Sequence, residues 1–341
     1  MKRSRERGII IGELPAGRRN LITDVPGVTV GHVTIAEGKH NTGVTVIMPC
    51  QDNPFTGKLT AAGHVLNGFG KTAGLMQLDE LGTIETPIAL TNTLNVGLVH
   101  DAMVGYMIER CEQDGVPLRS VNPIVCECND ASLNDISHRA VQTEHVRNAI
   151  LTASSDFALG AVGAGRGMTC HGLKGGIGSA SRLMEMDGQT YTLGVLALTN
   201  HGRLADLTIQ GENIGRHIQQ QMAESLPDKG SCIIIMATDL PLNDRQIRRI
   251  IRRAGVGLAR LGSFTGHGSG EVFLGFTTAN RVPFASKQAL LPMSVLHEDY
   301  IDIAFRAMAE ATEEAVVDSM LMAETVVSPS GTIRRSLSEF M

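Results

Sequence analysis

The sequence predicts a layered α/β sandwich, and three observations support this fold class. Short apolar runs bounded by turn residues recur along the 341-residue chain and are typical of buried strands. Segments with helical spacing separate groups of these runs. A hydrophobic content of 43% together with 38 glycines indicates a compact core connected by many tight turns. Groups of strands separated by helices bury their apolar faces by packing as layers.

Three apolar runs give the clearest strands, over residues 43–48, 86–91 and 233–236. Three other segments are predicted helices, over residues 131–153, 243–261 and 298–325. The second of these helices opens with a good cap residue and continues with apolar residues at helical spacing. These residues are Asn243 as the cap, followed by Ile247, Ile250, Ile251, Ala254 and Leu258. The arginines of this helix, between Arg248 and Arg253, are interpreted as a solvated face.

The chain shows no internal repeat and no linker that would divide independent domains, so residues 1–341 are predicted to form a single domain. The most exposed connection is predicted at residues 227–230. It joins two parts of one fold, because the apolar strand that begins at Ser231 would lose its sheet partners if the C-terminal piece stood alone.

Composition excludes several classes of function. A formal net charge of −5 offers no basic surface for nucleic acid. No window approaches the ~18 uninterrupted apolar residues of a membrane helix, and the basic N-terminus lacks the apolar core of an export signal. Six scattered cysteines suggest reduced thiols. We therefore expect a cytoplasmic protein that binds neither nucleic acid nor membrane.

The bond between Gly230 and Ser231 has the features of a self-cleavage site. Cleavage there would give Ser231 a free α-amine, so that one residue would carry both a hydroxyl nucleophile and the base that activates it. An unperturbed α-amine titrates near ~8, close to what a general base requires. Taken alone, the same pair of residues also fits an ordinary junction between a loop and a strand.

Two further segments carry polar residues suited to this chemistry. Ser269 and Glu271 lie two residues apart in a glycine-rich turn, so in extended backbone they share a face and point into one cleft. Asn200 ends an apolar strand, and its amide could donate to an oxyanion. An enzyme that acts on free N-termini also needs an anion to hold the ammonium group, and Glu127 or Glu271 could supply it. This chemistry requires neither a metal nor a cofactor.

Four ordered segments carry a family resemblance that runs nearly end to end. They are NLITDVPGVTVGH at residues 20–32, NGFGK at 67–71, LTNTLNVG at 90–97 and GLKGGIG at 172–178. With them the chain resembles the L-aminopeptidase/D-Ala-esterase/amidase family, which includes the β-peptidyl aminopeptidases. The resemblance implies a four-layer α/β/β/α sandwich of the aminopeptidase/ornithine acetyltransferase type. It also implies self-cleavage between Gly230 and Ser231, into parts 1–230 and 231–341.

The resemblance assigns roles to individual residues. Ser231 matches the N-terminal serine nucleophile, Asn200 the oxyanion-stabilising asparagine, and Ser269 with Glu271 the pair that assists the nucleophile. Glu127 matches the acid that binds the free amino group of a substrate. Asn129 stands where some members carry a tyrosine that helps the oxyanion or the substrate, so it is a candidate substrate-binding residue that departs from the family pattern.

The implied function is hydrolysis of N-terminal residues from small peptides, amides or esters through an acyl-enzyme. The implied assembly is a homo-oligomer, a tetramer of the two-part unit. One rival within the fold is acyl transfer of the ornithine acetyltransferase kind, which uses a threonine nucleophile and passes the acyl group to an amine. The other rival is an uncleaved binding protein that has kept the fold without the chemistry.

Several other motifs are incomplete. Residues 67–72 imitate the end of a phosphate-binding loop, but Val65 replaces the required first glycine, and Met168 breaks a dinucleotide pattern over residues 163–168. Two cysteines in a short extended segment, Cys126 and Cys128, lack further zinc ligands and are interpreted as buried thiols. His171 and His201 could border the cleft but are interpreted as structural.

Overall fold

A computed structural model describes residues 1–222 and 230–341 of the protein. Two β-sheets lie at its centre. In chain order the strands are β1 Thr29–Ile35, β2 Thr42–Met48, β3 Gly57–Gly68, β4 Thr83–Ile84, β5 Ile88–Asn92, β6 Ile124–Cys128, β7 Thr169–Cys170, β8 Leu173–Lys174, β9 Gly176–Met186, β10 Gln189–Asn200, β11 Thr208–Ile209, β12 Glu212–Asn213, β13 Ser231–Thr238, β14 Gly270–Pro283, β15 Val326–Val327 and β16 Ile333–Arg334.

The α-helices lie between groups of these strands. They are α1 Leu75–Leu81, α2 Val96–Gln113, α3 Thr143–Leu151, α4 Gly215–Met222, α5 Asp244–Ile251, α6 Ala254–Arg260 and α7 Ile301–Leu321. Within the described part of the chain, no helix is long and apolar enough to cross a membrane.

Both large sheets are mixed. One has four strands in the order β1-β2-β5-β6, in which only β5 and β6 are parallel. The other has six strands in the order β4-β3-β14-β13-β10-β9, in which only β13 and β14 are parallel. The strand that begins with Ser231 therefore has a partner on both sides, β10 and β14.

The two sheets pack face to face around a shared apolar core. Successive side chains of a strand point to opposite faces, and β13 is buried on both. Ile233 and Ile235 belong to the core between the sheets, together with Ile88 and Leu90 of β5. The alternate residue Ile234 belongs to a second core on the other face of the six-stranded sheet. Burial on both faces explains why this strand reads as a continuous apolar run rather than an alternating one.

Helices cover the outer face of each sheet. Helices α2 and α3 pack on the four-stranded sheet, where Met103 and Val146 join Val44 and Val46 in one core. Helices α5, α6 and α7 lie on the six-stranded sheet or against one another. The order of layers is helix, sheet, sheet, helix, which confirms the predicted α/β/β/α sandwich.

The predicted strands are confirmed as β2, β5 and β13, and the last two predicted helices are confirmed with changes at their bounds. The Asn243 side chain accepts a hydrogen bond from the Gln246 backbone nitrogen, as expected of a cap. The segment after it forms two helices, α5 and α6, instead of one. Gly257 lets α6 approach α7 closely, because a Cβ there would lie 2.7 Å from the Ala309 carbonyl oxygen.

The prediction of a helix over residues 131–153 was wrong in its first half. Only Thr143–Leu151 is α-helical, and Ile136–His138 forms a 3₁₀ turn. The backbone nitrogens of Leu133 and Asn134 donate to the Asp130 carbonyl oxygen, and the Asn134 side chain donates to Asp130 Oδ1. Side-chain bonds of this kind compete with helical hydrogen bonds, and the apolar spacing did not reveal them.

A buried ionic network between Arg182 of β9 and two carboxylates of α7 was not predicted. Arg182 is fully buried and bonds to Glu314 at 2.7 Å and to Glu310 at 3.2 Å. The apolar periodicity of α7 gives no sign that its carboxylates lie inside the protein. The predicted exposed connection at 227–230 lies outside the described residues except for Gly230, which is half-buried.

Candidate active site

Ser231 is the first residue of β13 and lies between two neighbouring strands. Its Cα partner on β10 is Asn200, the last residue of that strand, and its partner on β14 is Gly270, the first residue of that one. The side chain is almost entirely buried. The ends of three strands therefore meet at Ser231, so residues predicted separately from distant segments are brought together here.

The backbone of Gly230 is held in a narrow space before Ser231. Its carbonyl oxygen accepts a hydrogen bond of 3.1 Å from the Gly270 backbone nitrogen. A Cβ at this position would lie 1.6 Å from the Asn200 carbonyl oxygen. Since no real Cβ can approach an oxygen so closely, this junction requires glycine.

The Asn200 side chain is held by hydrogen bonds at both ends of its amide. Its Oδ1 accepts from the Thr169 backbone nitrogen at 2.8 Å, and its Nδ2 donates to the Asn129 carbonyl oxygen at 2.9 Å. These partners fix which end is the donor, because a flipped amide would meet like groups at both positions. The second hydrogen of Nδ2 has no partner among the described residues and can serve as a donor.

Ser269 and Glu271 are buried together where β14, the strand next to Ser231, begins. The Ser269 hydroxyl donates to Glu271 Oε1, as expected for two side chains on one face. Gly270 between them is the Cα partner of Ser231. Neither side chain lines the open cavity, and no hydrogen bond among the described residues joins Ser231 Oγ to Ser269. The structure thus brings this pair beside the serine but behind the cavity wall.

Glu127 comes from the other sheet, on β6, and is only 3% exposed. Its Oε1 accepts from the Lys71 backbone nitrogen at 2.9 Å, and its Oε2 accepts from the Thr93 hydroxyl. Each oxygen of this buried carboxylate therefore has a hydrogen-bond donor. Asn129 follows at the end of the strand and is exposed, and its Oδ1 accepts from the Ala131 backbone nitrogen.

One cavity of about 390 Å³ joins these groups. The predicted residues that line it come from both sheets and from the Gly230–Ser231 junction. They are Glu127, Asn129, Asn200, Gly230 and Ser231. The size is at the small end of the ~300–1,000 Å³ range of ligand pockets. The cavity therefore has the size of a site for a small ligand.

The cysteines near the site are buried thiols, as predicted. Burial raises the pKa of the Cys128 and Cys232 thiols, and nearby acidic groups add to this effect. Both thiols therefore remain protonated, although Cys232 directly follows Ser231. All six cysteines of the chain are buried as thiols.

The two histidines are buried behind the cavity wall. The His171 backbone nitrogen donates to the His201 carbonyl oxygen at 2.6 Å, and His171 Nδ1 bonds to the Arg203 carbonyl oxygen. Burial, with a smaller contribution from the neighbouring His171, lowers the pKa of His201 from 6.5 to about 3. Neither residue lines the cavity. The donor atoms of Cys170, His171 and His201 lie within 4.8 Å of one another, which is the spacing of a candidate metal site among the described residues.

Sequence reasoning missed several residues of the site. The cavity is also lined by Lys71, Thr93, Thr169 and Arg334. Behind it, the fully buried Lys174 ammonium donates to the carbonyl oxygens of Gly165, Met168 and Gly175 at 2.6–3.0 Å. Lys174 belongs to the segment GLKGGIG, on which the family resemblance partly rests. The spacing of apolar residues does not show that the lysine side chain turns inward.

Comparison with known proteins identifies the family. The sequence pattern of peptidase family S58 matches residues 20–334 of this chain. The chain is 36% identical to a β-peptidyl aminopeptidase of Sphingosinicella microcystinivorans, over 98% of this chain and 89% of that protein. The family match and the match to this relative both cover nearly the whole of this chain, and the second also covers most of the relative.

Solved structures agree over the same length. The PH0078 protein of Pyrococcus horikoshii OT3 is 46% identical with a TM-score of 0.94, covering 99% of this chain and 97% of that one. The L-aminopeptidase D-Ala-esterase/amidase of Ochrobactrum anthropi, described as a variant of the Ntn hydrolase fold, is 33% identical with a TM-score of 0.92, covering 99% and 96%. The chain belongs to peptidase family S58 and is a serine aminopeptidase of the N-terminal nucleophile type.

Proposed function

We propose that Ser231 is the nucleophile and that cleavage of the Gly230–Ser231 bond frees its amine. The observation that carries the proposal is the meeting of Gly230, Ser231, Asn200 and Glu127 in one cavity. A scissile bond, a nucleophile, an oxyanion donor and an anion for an ammonium group are the parts that an aminopeptidase of this type needs.

In the self-cleavage step, Ser231 Oγ attacks the Gly230 carbonyl carbon. The Gly270 backbone nitrogen already donates to that carbonyl oxygen and stabilises the charge that develops on it. The bond from Gly230 carbon to Ser231 nitrogen then breaks, and the nitrogen takes the hydroxyl proton. Water hydrolyses the resulting ester, which leaves a carboxylate on Gly230 and a free α-amine on Ser231. The products are residues 1–230 and 231–341.

In the substrate reaction, Glu127 holds the ammonium group of the N-terminal residue. The Ser231 amine takes the proton of Oγ as that oxygen attacks the scissile carbonyl, and the free hydrogen of Asn200 Nδ2 donates to the oxyanion. The amine then returns the proton to the leaving nitrogen. Water repeats the cycle on the acyl-enzyme and releases the N-terminal residue.

Ser269 and Glu271 act from behind the nucleophile. Their mutual hydrogen bond gives the buried Glu271 carboxylate a partner and fixes the Ser269 hydroxyl. We assign them to proton transfer and to orientation of the Ser231 amine after cleavage. Asn129 contributes its carbonyl oxygen to hold Asn200, and its exposed side chain borders the substrate.

The substrates are small peptides, amides or esters with a free amino group. The name of the Sphingosinicella relative points to β-amino acids, and the name of the Ochrobactrum protein points to L-aminoacyl and D-alanyl groups. The buried thiols fit a reducing cytoplasmic location. A tetramer of the cleaved unit follows from the family resemblance, and light scattering with gel filtration tests it.

Intact mass of the freshly purified protein under denaturing conditions, with N-terminal sequencing of fragments, tests the proposal. Two pieces are expected, one of which begins Ser231-Cys232-Ile233. The Ser231→Ala variant should remain one chain and should not hydrolyse aminoacyl amides. Cleavage at another bond, or turnover by Ser231→Ala, would refute the assignment of Ser231.

Acetyl-ornithine with glutamate separates hydrolysis from the rival acyl transfer. The proposal predicts hydrolysis of aminoacyl amides and no acetyl-glutamate. Acetyl-glutamate without peptide hydrolysis would favour the acyltransferase. The binding protein would be favoured by a different result. In that case the wild type stays uncleaved and inactive, and it binds aminoacyl amides with the same affinity as the Ser231→Ala variant.

A further inference from the structure

The cavity contains charges of both signs that are not paired with each other. Glu127 is the only carboxylate residue among the described residues that line it, while Lys71 and Arg334 contribute cations. The Glu127 oxygens accept from the Lys71 backbone nitrogen and the Thr93 hydroxyl. The Lys71 ammonium instead lies 4.6 Å from the centroid of the Phe69 ring. The Glu127 carboxylate and the Lys71 ammonium thus share one small cavity without pairing with each other.

Lys71 is tied to the ammonium-binding residue by its own backbone. Because the Lys71 backbone nitrogen lies 2.9 Å from Glu127 Oε1, Nζ cannot be further from that oxygen than this distance plus the reach of an extended lysine from its backbone nitrogen to Nζ. The two charges are therefore separated by at most about 10 Å, the span of three extended residues. Lys71 is exposed, and within the described chain no ion pair involves it.

We propose that Lys71 binds the C-terminal carboxylate of a short peptide whose N-terminal ammonium is held by Glu127. This inference deepens the proposed function and rests on it. A dipeptide zwitterion places its two charges at the ends of one short chain, and two residues fit within this upper limit on the separation. The Phe69 ring holds the Lys71 ammonium at the cavity edge by a cation–π contact and leaves its N–H groups for the carboxylate. Peptides of two residues are therefore preferred to equivalent substrates with an uncharged end.

A matched pair of substrates tests the subsite. One is an aminoacyl-glycine dipeptide and the other is its C-terminal amide, with the same N-terminal residue, so that the pair differs only in the terminal carboxylate. The wild type is expected to show about fivefold higher kcat/KM for the dipeptide, the effect of one partly exposed charge-assisted hydrogen bond. The preference should shrink in 1 M NaCl because salt screens an exposed pair.

Lys71→Met should lower the ratio of the two kcat/KM values to near one, mainly by raising KM for the dipeptide, whereas Lys71→Arg should retain the preference. The control is Lys287→Met, which removes one exposed charge outside the cavity and should keep the wild-type ratio. A wild-type ratio of one, or a ratio that Lys71→Met does not change, would overturn the subsite even though both substrates are hydrolysed. Cleaved protein that hydrolyses neither substrate would instead count against the proposed function.

Discussion

Gly230 packs against Asn200 so closely that a Cβ on the glycine would lie 1.6 Å from the asparagine carbonyl oxygen. The two residues belong to segments that the sheet aligns, since Asn200 is also the Cα partner of Ser231. The glycine before the serine is therefore required by packing. The same contact holds the Gly230–Ser231 bond beside the proposed oxyanion donor.

Gly230→Ala is expected to block self-cleavage. The added methyl group forces the junction away from Asn200 and moves the carbonyl out of reach of Ser231 Oγ. Intact mass should show a single chain. Gly268→Ala is the matched control, because a Cβ at Gly268 meets nothing within 4 Å although this glycine also lines the cavity. Efficient cleavage of Gly230→Ala would show that the junction is not constrained as described.

Asn200→Ala should reduce kcat by about 10²–10³-fold, the usual effect of removing one oxyanion donor. KM should change little, since the donor acts on the charge of the transition state. The measurement is steady-state kinetics on material shown by mass to be cleaved. If Asn200→Ala also fails to cleave itself, the intact mass of the variant will show a single chain. Coexpression of residues 1–230 and 231–341 then supplies the two-part form for the kinetic measurement. A kcat within threefold of wild type would remove Asn200 from the mechanism.

Glu127→Gln is expected to raise KM by about tenfold or more for substrates with a free amino group, because a charge-assisted hydrogen bond is lost. The amide keeps the size of the side chain. Self-cleavage should continue, since the Gly230–Ser231 bond presents no ammonium group to this residue. The opposite pattern, a large loss of kcat with an unchanged KM, would argue against a role in ammonium binding.

Lys174→Met should destabilise the protein by about 3 kcal/mol or more, because three buried carbonyl oxygens lose their donor. Burial lowers the pKa of Lys174, yet the three acceptors match the three hydrogens of the ammonium form. The Met168 carbonyl directly precedes Thr169, whose nitrogen orients Asn200, so activity should fall as well. Urea unfolding measures the first effect. The exposed Lys39→Met is the control and should unfold like wild type.

Stability should decrease in mild acid partly because of His201. Burial lowers its pKa from 6.5 to about 3, so the folded state keeps the neutral form. The contribution is fully present above pH 6.5 and is lost as the pH falls from there towards 3, because only the unfolded chain takes up the proton. The slope of the free energy of unfolding is up to about 1.4 kcal/mol per pH unit for one such group.

His201→Gln should therefore reduce this slope between pH 4 and 6.5, whatever its effect on stability at neutral pH. Burial also lowers the pKa of His32, to about 4, so part of the slope will remain. Urea unfolding at several pH values measures it. His297→Gln, at an exposed position, is the control. An unchanged slope in His201→Gln would mean that His201 is protonated in the folded protein.

Local properties of the sequence determined much of the fold. The run at residues 233–236 predicted β13 because a strand buried on both faces needs continuous apolar residues, and Asn243 predicted the start of α5 because a cap depends on near neighbours. The order of the layers came from the family resemblance, and the structure confirms it. Ser231 and Asn200 were identified at the start and the end of apolar strands, and Ser269 and Glu271 in a glycine-rich turn.

Only the tertiary structure decided how the site is assembled. Glu127 reaches the cavity from one sheet, while Asn200 and Ser231 reach it from the other, and this meeting depends on packing between segments far apart in the chain. Distant partners also decide three other features of the site. Ser269 and Glu271 lie behind the cavity wall, the Lys174 side chain turns inward, and the Lys71 ammonium lies at the cavity without an ion-pair partner among the described residues. Periodicity reports which face of an element is apolar. It carries no information on which polar groups from other segments will meet there, because those contacts form only when the sheets pack.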